Sequence, residues 1–354
     1  MSEVDHFLMQ PVGWLRATGP ESDVVISSRL RLARNLAAYP FLSRLAPEQR
    51  EAILHEIGEA VKKSNLLKMA YFIPSDKLPE LDRQFLLERH LVSRELFLED
   101  GKSAVVITPD EIVSLMVIEE DHLRLQVFQS GLNLVETWRI ADEIDSELEK
   151  ELDYSFDGTL GYLTACPTNV GTGIRASCML HLPSLVLTKQ VHKVLQALSK
   201  LNLAVRGLYG EGTQASGNFF QFSNQITLGQ PEEEIISNLE GVIRQVITHE
   251  REAREYLRKK RKAKMEDQIW RALAALKAAR MMSSSEATQL LSLVQVGIDV
   301  GVLEGQVSHT DLNQLFLLIQ PAHLQKMNGK ELGATERDAR RATRIREYFS
   351  KVIL

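Results

Sequence analysis

Hydrophobic residues along the first 250 positions of this chain change repeatedly between helical and strand-like spacing. In five segments the apolar side chains recur every three or four residues, which predicts helices. These segments are residues 47–63, 81–90, 132–152, 183–201 and a stretch that begins at Pro231. Short runs rich in Val, Ile and Leu lie between them and predict strands. They are residues 103–108, 112–118, 123–129, 162–165, 176–182, 203–209 and 219–227.

Two polar segments indicate how these elements connect. Residues 119–121 (Glu-Glu-Asp) separate two strand-like runs, so the runs are expected to pair as a hairpin with an acidic turn. Residues 210–218 are rich in glycine and too polar to pack, which predicts a mobile loop. The body of the chain is therefore expected to mix strands that are close in sequence with flanking helices.

The last hundred residues show helical spacing only. Their periodic segments are residues 286–303, 311–319 and 336–353. Residues 335–338 fit a helix capping box loosely, because Asp338 stands where Glu or Gln is preferred. The pattern predicts an α+β domain in residues 1–254 and an all-α domain in residues 255–354.

Composition and charge narrow the class of protein. The chain has 354 residues, of which 44% are hydrophobic and 25% charged, as in globular proteins. Its formal net charge of −5 combines −11 in residues 1–254 with +6 in residues 255–354, and gives no reason to expect direct nucleic-acid binding. Only two cysteines, no segment like a signal peptide and no long apolar run predict a reduced, cytoplasmic protein without a membrane span.

Arginines adjoin small or apolar residues at several points of the acidic part. They are Arg29, Arg31, Arg124, Arg175 and Arg206. If residues 27–35 are extended, Arg29 and Arg31 project from one face while Leu30 and Leu32 face the core. Forked, permanently charged donors suit the oxygens of a polyphosphate, and the chain has no GxxxxGK[ST] loop. Taken singly, each arginine is more often a solvated or salt-bridged surface residue. The spacing of these arginines therefore does not decide whether they bind a polyphosphate.

Longer motifs give the chain a family resemblance. Residues 166–176 (CPTNVGTGIRA) and 119–124 (EEDHLR) resemble signatures of the phosphagen (ATP:guanidino) kinases. Residues 26–35 (ISSRLRLARN), 179–188 (MLHLPSLVLT) and 337–342 (RDARRA) are similar to the bacterial protein arginine kinase (McsB) branch. The resemblance runs from about residue 10 to the C-terminus. It implies an antiparallel sheet flanked by helices, followed by a small all-α domain.

The same resemblance implies an ATP site with Mg²⁺ as the accompanying ion. Its nucleotide-binding residues are Ser27, Ser28, Arg29, Leu30, Arg31, His90, Arg124, Arg175, Ala176, Ser177, Cys178, Met179, Arg206, Gly207, Leu208, Tyr209, Gly210 and Glu211. From the residues alone, His90 is equally compatible with a helix-terminal cap, and Cys178 with a core residue. No residues are assigned to a metal site of the protein itself.

The chemistry of a guanidinium substrate explains the remaining implied residues. Its pKa above about 12 makes it a poor nucleophile, so a carboxylate must orient it and accept a proton. The resemblance assigns this base to Glu120, a second carboxylate to Glu211 in the loop, and a reactive cysteine beside the substrate to Cys166. Without the resemblance, the simpler interpretation of residues 119–121 is an acidic turn, and that of Cys166 is a small buried side chain.

The substrate is expected to be an arginine of a protein. Small-molecule phosphagen kinases carry an all-α domain before the segment that begins here at residue 27, and that domain helps to enclose a free guanidino compound. An open site would admit a protein side chain. A kinase of free arginine or another small guanidine remains the alternative, and a non-catalytic phosphoarginine-binding adaptor is a third hypothesis.

The C-terminal motif implies a phosphoarginine pocket formed by Arg337, Asp338, Arg340, Arg341 and Ala342. On a helix the three arginines would share a face, although the simpler interpretation is a solvated basic surface. The resemblance further implies self-association and coupling of phosphoarginine binding to activity. It also implies stress-response targets such as the heat-shock repressor CtsR, a zinc-binding activator, McsA, and delivery of marked proteins to a Clp chaperone-protease.

Overall fold

One antiparallel sheet of eight strands forms the centre of the molecule. The computed structural model describes residues 3–8, 10–97, 102–199, 203–207, 216–350 and 352. The strands are β1 (Val25–Arg34), β2 (Tyr71–Pro74), β3 (Ala104–Ile107), β4 (Val113–Val117), β5 (Leu123–Ser130), β6 (Phe156–Asp157), β7 (Gly161–Tyr162), β8 (Ile174–His181), β9 (Leu203–Gly207) and β10 (Phe219–Asn224). The order in the sheet is β2-β3-β4-β5-β1-β8-β10-β9, and β6 pairs separately with β7. The predicted hairpin with the acidic turn is the β4–β5 pair.

Helices pack on both faces of this sheet and make up the C-terminal third. They are α1 (Asp5–Leu8), α2 (Pro47–Lys63), α3 (Glu80–Glu88), α4 (Leu134–Glu149), α5 (Pro183–Leu187), α6 (Val191–Ser199), α7 (Glu232–Lys260), α8 (Lys262–Ala278), α9 (Ser284–Asp299), α10 (His309–Leu318), α11 (Pro321–Asn328) and α12 (Ala334–Phe349). The predicted fold class, an antiparallel sheet with helices followed by a helical region, is confirmed. Within the described residues, no helix combines the length and apolarity of a membrane span.

The sheet buries only one of its faces in the main hydrophobic core. Leu30 and Leu32 of β1 are fully buried there, as the alternation in residues 27–35 predicted. Ile53 of α2, Ile144 of α4 and Ile243 of α7 belong to the same cluster. The hydrophobic effect thus fixes which way β1 faces, because a shift of one residue would place Arg29 and Arg31 in the core.

A second apolar cluster lies between α8, α9, α10 and α12. Ile269, Leu291, Leu312 and Ile345, one from each of these helices, are fully buried in it. Leu257, near the end of α7, also joins this cluster. The long helix α7 therefore contributes to both cores and crosses the predicted domain boundary at residue 254.

A buried polar network fastens α11 to the end of α3. Glu88 accepts hydrogen bonds from the backbone N–H of Ala322 (2.7 Å) and of His323 (3.0 Å), at the positive end of α11. The next residue, Arg89, donates through Nε (2.6 Å) and Nη2 (2.5 Å) to Glu111, and both side chains are 1% exposed. Nε2 of His323 lies 3.2 Å from Nη1 of Arg89. Ionic contacts thus connect the C-terminal helices to the segment that precedes His90.

The predicted helix over residues 183–201 is wrong as a single element. It consists of α5 and α6, which are separated at residues 188–190. Lys189 has φ +61°, a left-handed conformation that ends a helix. The hydroxyl of Thr188 donates back to the carbonyl of Ser184 (2.8 Å) and satisfies one of the free carbonyls at this end.

Two smaller predictions also differ from the structure. Of the strand predicted at residues 162–165, only Tyr162 lies in a strand, as the second residue of β7. The capping box predicted at residues 335–338 is absent, because α12 begins at Ala334 with Gly333 as its N-cap and Thr335 already lies in the first turn.

The buried ion pair between Arg89 and Glu111 should contribute strongly to stability. The substitution Glu111→Gln should lower the free energy of unfolding by about 3–5 kcal/mol, because Arg89 would keep its charge without a buried partner. Urea denaturation measures this change. The matched control is Glu136→Gln, which removes a partner of Arg139 on the exposed side of α4 and should cost less than about 1 kcal/mol. Similar losses in both variants would contradict a structural role for the buried pair.

Candidate active site

All five predicted arginines project from one face of the sheet. Arg31 of β1 pairs directly with Arg175 of β8, and Arg29 lies two residues away on the same side. Arg31 also pairs with Gln126 of β5, which is two residues from Arg124. Arg206 of β9 lies on this same side, because it pairs with Gln221 of β10, which in turn pairs with Met179 of β8. Directly paired residues share a face, so the strands gather these guanidinium groups opposite the main core. We call this surface the arginine face.

The predicted nucleotide residues divide between the two faces. Ser27, Ser177 and Met179 alternate with the core positions and lie on the arginine face, and Gly207 ends β9. Ser28, Leu30, Ala176 and Cys178 are buried on the opposite side. The Ser28 hydroxyl donates to the carbonyl of Gly131 (2.8 Å), and burial raises the pKa of the Cys178 thiol to about 12. These four side chains point away from the arginine face, and Cys178 is a core residue.

Neutral side chains hold two of the arginines in place. Nη2 of Arg29 donates to Oε1 of Gln221 (3.1 Å), and Nη2 of Arg175 donates to the hydroxyl of Ser223 (3.2 Å). Nε of Arg31 is buried without a hydrogen-bond partner. No ion pair to a carboxylate is present for these three guanidinium groups in the described part of the chain. Their positive charges are therefore available to an anion.

The electrostatic field of this cluster shows in the pKa values. Burial, followed by the charges of Arg124 and Arg175, lowers the pKa of Arg29 to about 10. Burial, followed by the charge of Arg29, holds the pKa of Arg31 well below its ordinary value. The pKa of Arg175 is also lowered, first by burial and then by Arg206. Each charge destabilises its neighbours, and a bound polyanion would relieve this repulsion.

Arg124 differs because two carboxylates orient it. Its Nη1 lies 2.8 Å from Oε2 of Glu119 and 3.2 Å from Oε2 of Glu120. Glu119 is buried and also accepts a hydrogen bond from the hydroxyl of Ser93. Burial alone would lower the pKa of Arg124, but Glu119 and Glu120 raise it above its ordinary value. Arg124 thus connects the arginine face to the acidic β4–β5 turn.

Glu120 lies at the open edge of this arrangement. Its side chain is 39% exposed, so a solvent-borne group can reach its carboxylate. Burial raises the pKa of Glu120, and the charges of Asp121 and Glu119 raise it further, against the effect of Arg124. A carboxylate in this position can accept a proton more readily than an ordinary surface glutamate.

Asp121 brings the cysteine segment to the same turn. Its Oδ1 accepts hydrogen bonds from the backbone N–H of Ala165 (2.7 Å) and from Nδ2 of Asn35 (2.6 Å). The next residue, Cys166, is half-buried, and its Sγ lies 3.0 Å from Oγ1 of Thr168. Asp121 is fully buried. Its hydrogen bonds therefore hold the Cys166 segment next to Glu120, at one edge of the arginine face.

His90 reaches the arginine face from the end of α3. Nε2 of Gln126 donates to the His90 carbonyl (2.8 Å), and His90 has φ +60°. Burial, followed by the charge of Arg29, lowers the pKa of His90 to about 4, so its ring is neutral at pH 7. A cavity of about 30 Å³ beside it is also lined by Met179 of β8 and by Phe316 of α10. The C-terminal helices thus pack directly beneath this end of the site.

Part of the predicted site lies outside the described residues. This applies to Leu208, Tyr209, Gly210 and Glu211, and to most of the predicted mobile loop. Arg206 and Gly207 end β9, the edge strand that leads into it. The second carboxylate of the implied mechanism stays a prediction.

The predicted phosphoarginine residues do not present one common face. Arg341 is 1% exposed and donates to the carbonyls of Ile319 (2.8 Å) and Met282 (2.8 Å) and to Asp338 (2.5 Å). Arg340 is exposed, Arg337 is half-buried, and Ala342 is in the core. Arg341 therefore holds α12 against its neighbours, while Arg337 and Arg340 remain accessible.

Several residues that build the site were not predicted. Gln126, Gln221 and Ser223 orient His90, Arg29 and Arg175, and Glu119 and Asp121 orient Arg124 and the cysteine segment. The first three are polar side chains at alternate positions of otherwise apolar strands. That pattern marks a strand face turned away from the core, and it could have indicated them.

Comparisons with known proteins agree with this geometry. Residues 51–253 match the family model of the ATP:guanido phosphotransferase C-terminal catalytic domain, and residues 262–353 match that of the protein-arginine kinase McsB C-terminal domain. A protein-arginine kinase of Desulforamulus reducens is 50% identical over 342 residues, 96% of each chain. One of Brevibacillus brevis is 47% identical over 353 residues, 98% of each chain. The chain belongs to the protein-arginine kinase family.

Solved structures of phosphagen kinases share the fold of this protein-arginine kinase family member. A lombricine kinase superposes with a TM-score of 0.58 over 68% of this chain and 71% of its own, at 24% identity. The substrate-free duplicated taurocyamine kinase of Schistosoma mansoni gives a TM-score of 0.60 over 80% of this chain and 48% of its own, at 19% identity. The family establishes the chain as an enzyme, an ATP:guanido phosphotransferase.

The arginine face suits phosphate oxygens and not a metal ion. Guanidinium groups donate hydrogen bonds and cannot coordinate a cation. The described residues contain no group of three or more His, Cys, Asp or Glu side chains that could hold one. Mg²⁺ is typically bound through nucleotide phosphates and water, which is consistent with such a site.

The unpaired charges of the arginine face should lower the stability of the fold, which gives a testable prediction. The substitution Arg31→Met should raise the free energy of unfolding by about 1–2 kcal/mol without nucleotide, because it removes a half-buried, repelled charge whose buried Nε–H has no hydrogen-bond partner. It should also weaken ATP binding about 10-fold to 100-fold, through the loss of a charge-assisted hydrogen bond. Urea denaturation and titration calorimetry measure the two effects.

The control for this pair of measurements is Arg139→Met. Arg139 is exposed on α4 and pairs with Glu136 and Glu143, so neither quantity should change by more than a small amount. A loss of both stability and ATP affinity in Arg31→Met would show that Arg31 stabilises the fold, and would contradict the interpretation that it costs stability in order to bind a ligand.

Proposed function

We propose that this enzyme transfers the γ-phosphate of ATP to the side chain of arginine residues in proteins. The observation that supports this proposal most strongly is a half-buried set of guanidinium groups without carboxylate partners, directly beside an accessible glutamate. Such a face can neutralise a triphosphate. The adjacent acidic edge, with Glu120 and Cys166, suits an incoming cation.

The arrangement supports an in-line transfer. One terminal nitrogen of the substrate guanidinium attacks the γ-phosphorus while the bond between this phosphorus and the β,γ-bridging oxygen breaks, and ADP leaves. The attacking nitrogen loses a proton, which Glu120 accepts. Mg²⁺ bound to the phosphates would neutralise part of their charge. Arg29, Arg31 and Arg175 would hold the phosphates throughout, so that catalysis is mainly positioning and charge stabilisation.

The exposure of the acidic edge favours a protein substrate. Glu120 is 39% exposed, so an arginine that remains attached to a polypeptide can reach it. Relatives that share about half of their residues with this chain over nearly their full length carry the name protein-arginine kinase. A kinase of free arginine or another small guanidine is the second candidate. Incubation with ATP and either free arginine or an unfolded basic protein distinguishes the two.

Finer aspects of the function follow from the C-terminal helices. We propose that residues 337–342 bind phosphoarginine and couple its binding to activity, and that the chain self-associates. The match of residues 262–353 to the McsB C-terminal domain supports these roles. By the same resemblance we propose CtsR as a target, McsA as activator, and degradation of marked proteins by a Clp protease in the stress response.

The role of Glu120 can be tested by an isosteric substitution. Glu120→Gln should lower kcat for arginine phosphorylation about 10²-fold to 10⁴-fold, because the amide cannot accept the proton. The KM for ATP should change little. Mass spectrometry at neutral pH measures phosphoarginine on the protein substrate.

The acid side of the pH profile provides the control for this experiment. Glu120 must be ionised to act, so the activity of the unsubstituted enzyme should fall as the pH decreases through the raised pKa of this group. Residual activity in Glu120→Gln should lack this dependence. Unchanged activity in Glu120→Gln would show that another group is the base.

The accessible arginines of α12 give a test of phosphoarginine binding. Arg337→Ala combined with Arg340→Ala should weaken binding of a phosphoarginine peptide at least about 10-fold, since two charge-assisted contacts are lost. ATP affinity and thermal stability should stay unchanged. Arg341→Ala is a poor test because it removes buried hydrogen bonds. Unaltered peptide affinity in the double variant would contradict the proposed pocket.

A further inference from the structure

An open groove lies beside the cysteine segment. It has a volume of about 280 Å³ and runs between the β6–β7 hairpin and the segment that leads into α7. Its lining includes Phe156 and Leu160 on one side, and Leu228 and Glu232 on the other. None of the residues described along it is a lysine or an arginine. We refer to this feature as the hairpin groove.

The apolar side chains of the hairpin groove are unusually accessible. Phe156 is 61% exposed, Leu160 45% and Leu228 49%, and Ile226 close by is also exposed. Large apolar side chains that are exposed together, with polar groups around them, mark surfaces that contact another molecule. The hydrophobic effect therefore favours an apolar occupant of this groove.

Hydrogen bonds connect both walls of the groove to the turn that carries Cys166. The backbone N–H of Tyr162 donates to the carbonyl of Gly171 (2.8 Å). Gly171 has φ +110°, and a Cβ atom there would lie 2.4 Å from the carbonyl oxygen of Thr227. The hydroxyl of Thr227 in turn lies 3.0 Å from the carbonyl of Thr168 and 2.7 Å from that of Val170. The groove and the turn are thus one preformed unit.

A buried cation supports the hairpin from below. The guanidinium of Arg34 lies 3.5 Å from the centre of the Tyr162 ring, and its Nη1 donates to the carbonyl of Thr172 (2.9 Å). Arg34 is itself paired with Asp145 at 2.7 Å. The position of the groove relative to Cys166 is therefore fixed before any ligand binds, which reduces the entropic cost of binding.

The charge of the groove matches that of an arginine-bearing chain. Glu232 lines it, and Glu232, Glu233 and Glu234 form the first turn of α7. With no basic residue in its described lining, the groove favours a segment with apolar and basic side chains over an acidic one.

We propose that the hairpin groove binds the polypeptide segment that flanks the target arginine. The segment lies extended in the groove with apolar side chains between Phe156, Leu160 and Leu228, while its arginine passes over the Cys166 turn to Glu120. This inference rests on the proposed function and adds a substrate preference to it. The enzyme selects arginines with apolar neighbours, as are exposed in unfolded chains.

Two synthetic peptides of equal length test this proposal. Each carries one arginine, with leucine and phenylalanine on both sides in one peptide and serine in the other. The full-length enzyme is compared with the double variant Phe156→Ser and Leu228→Ser, in which exposed side chains are changed so that the core is untouched. The control, Met69→Ser with Val135→Ser, changes exposed apolar residues elsewhere. Phosphoarginine formation by mass spectrometry gives KM and kcat for each peptide.

The proposal predicts a KM about 10-fold lower for the apolar peptide than for the serine peptide with the unsubstituted enzyme. The groove variant should lose this difference, with the KM for ATP and the kcat for the serine peptide retained, and the control should keep it. Equal KM values for both peptides with the unsubstituted enzyme would overturn the groove proposal alone. Phosphorylation of neither peptide nor an unfolded protein would overturn the proposed function as well. A changed oligomeric state of the groove variant, with its peptide preference retained, would make the groove a self-association surface and also overturn the proposal.

Discussion

The central constraint in this structure is the repulsion among guanidinium groups on one face of the sheet. Three of them have no carboxylate partner in the described residues, and the pKa values of all three are lowered chiefly by burial and then by the charges of neighbouring arginines. A folded protein tolerates such an arrangement only where other interactions stabilise the fold sufficiently. The central position of β1 provides this support, since it pairs with both β5 and β8 and buries Leu30 and Leu32 on its opposite face. In β1, Leu30 and Leu32 thus add apolar contacts on one face where Arg29 and Arg31 add charges on the other.

The remaining features of the site lie at the two ends of the arginine face. At the β4–β5 turn, Glu119 neutralises Arg124, and Glu120 stays accessible. Asp121 connects that turn to Cys166, and the Cys166 turn is bonded to the walls of the hairpin groove. At the opposite end, α10 and α11 pack near His90, and Glu88 and Arg89 join them to α3. The C-terminal helices are thus connected to the His90 end of the site, and the groove to the Glu120 end.

Sequence patterns predicted much of this arrangement because they record burial and local conformation. The alternation in residues 27–35 placed the arginines of β1 on one face, and the apolar period placed α2 at the residues where it occurs. Motif resemblance added the residues of other strands. What it could not supply was register, which decides that Arg31 lies opposite Arg175 and that Gln221 reaches Arg29. The broken helix at Lys189 and the buried Arg341 depend likewise on tertiary contacts with no local signal.

The most direct test of this account is a crystal structure of the enzyme with Mg²⁺ and a non-hydrolysable ATP analogue. The account predicts that the phosphate oxygens lie within hydrogen-bond distance of Arg29, Arg31 and Arg175, with the γ-phosphate on the side of Glu120. Phosphates bound away from the arginine face, with these guanidinium groups still unpaired, would contradict it.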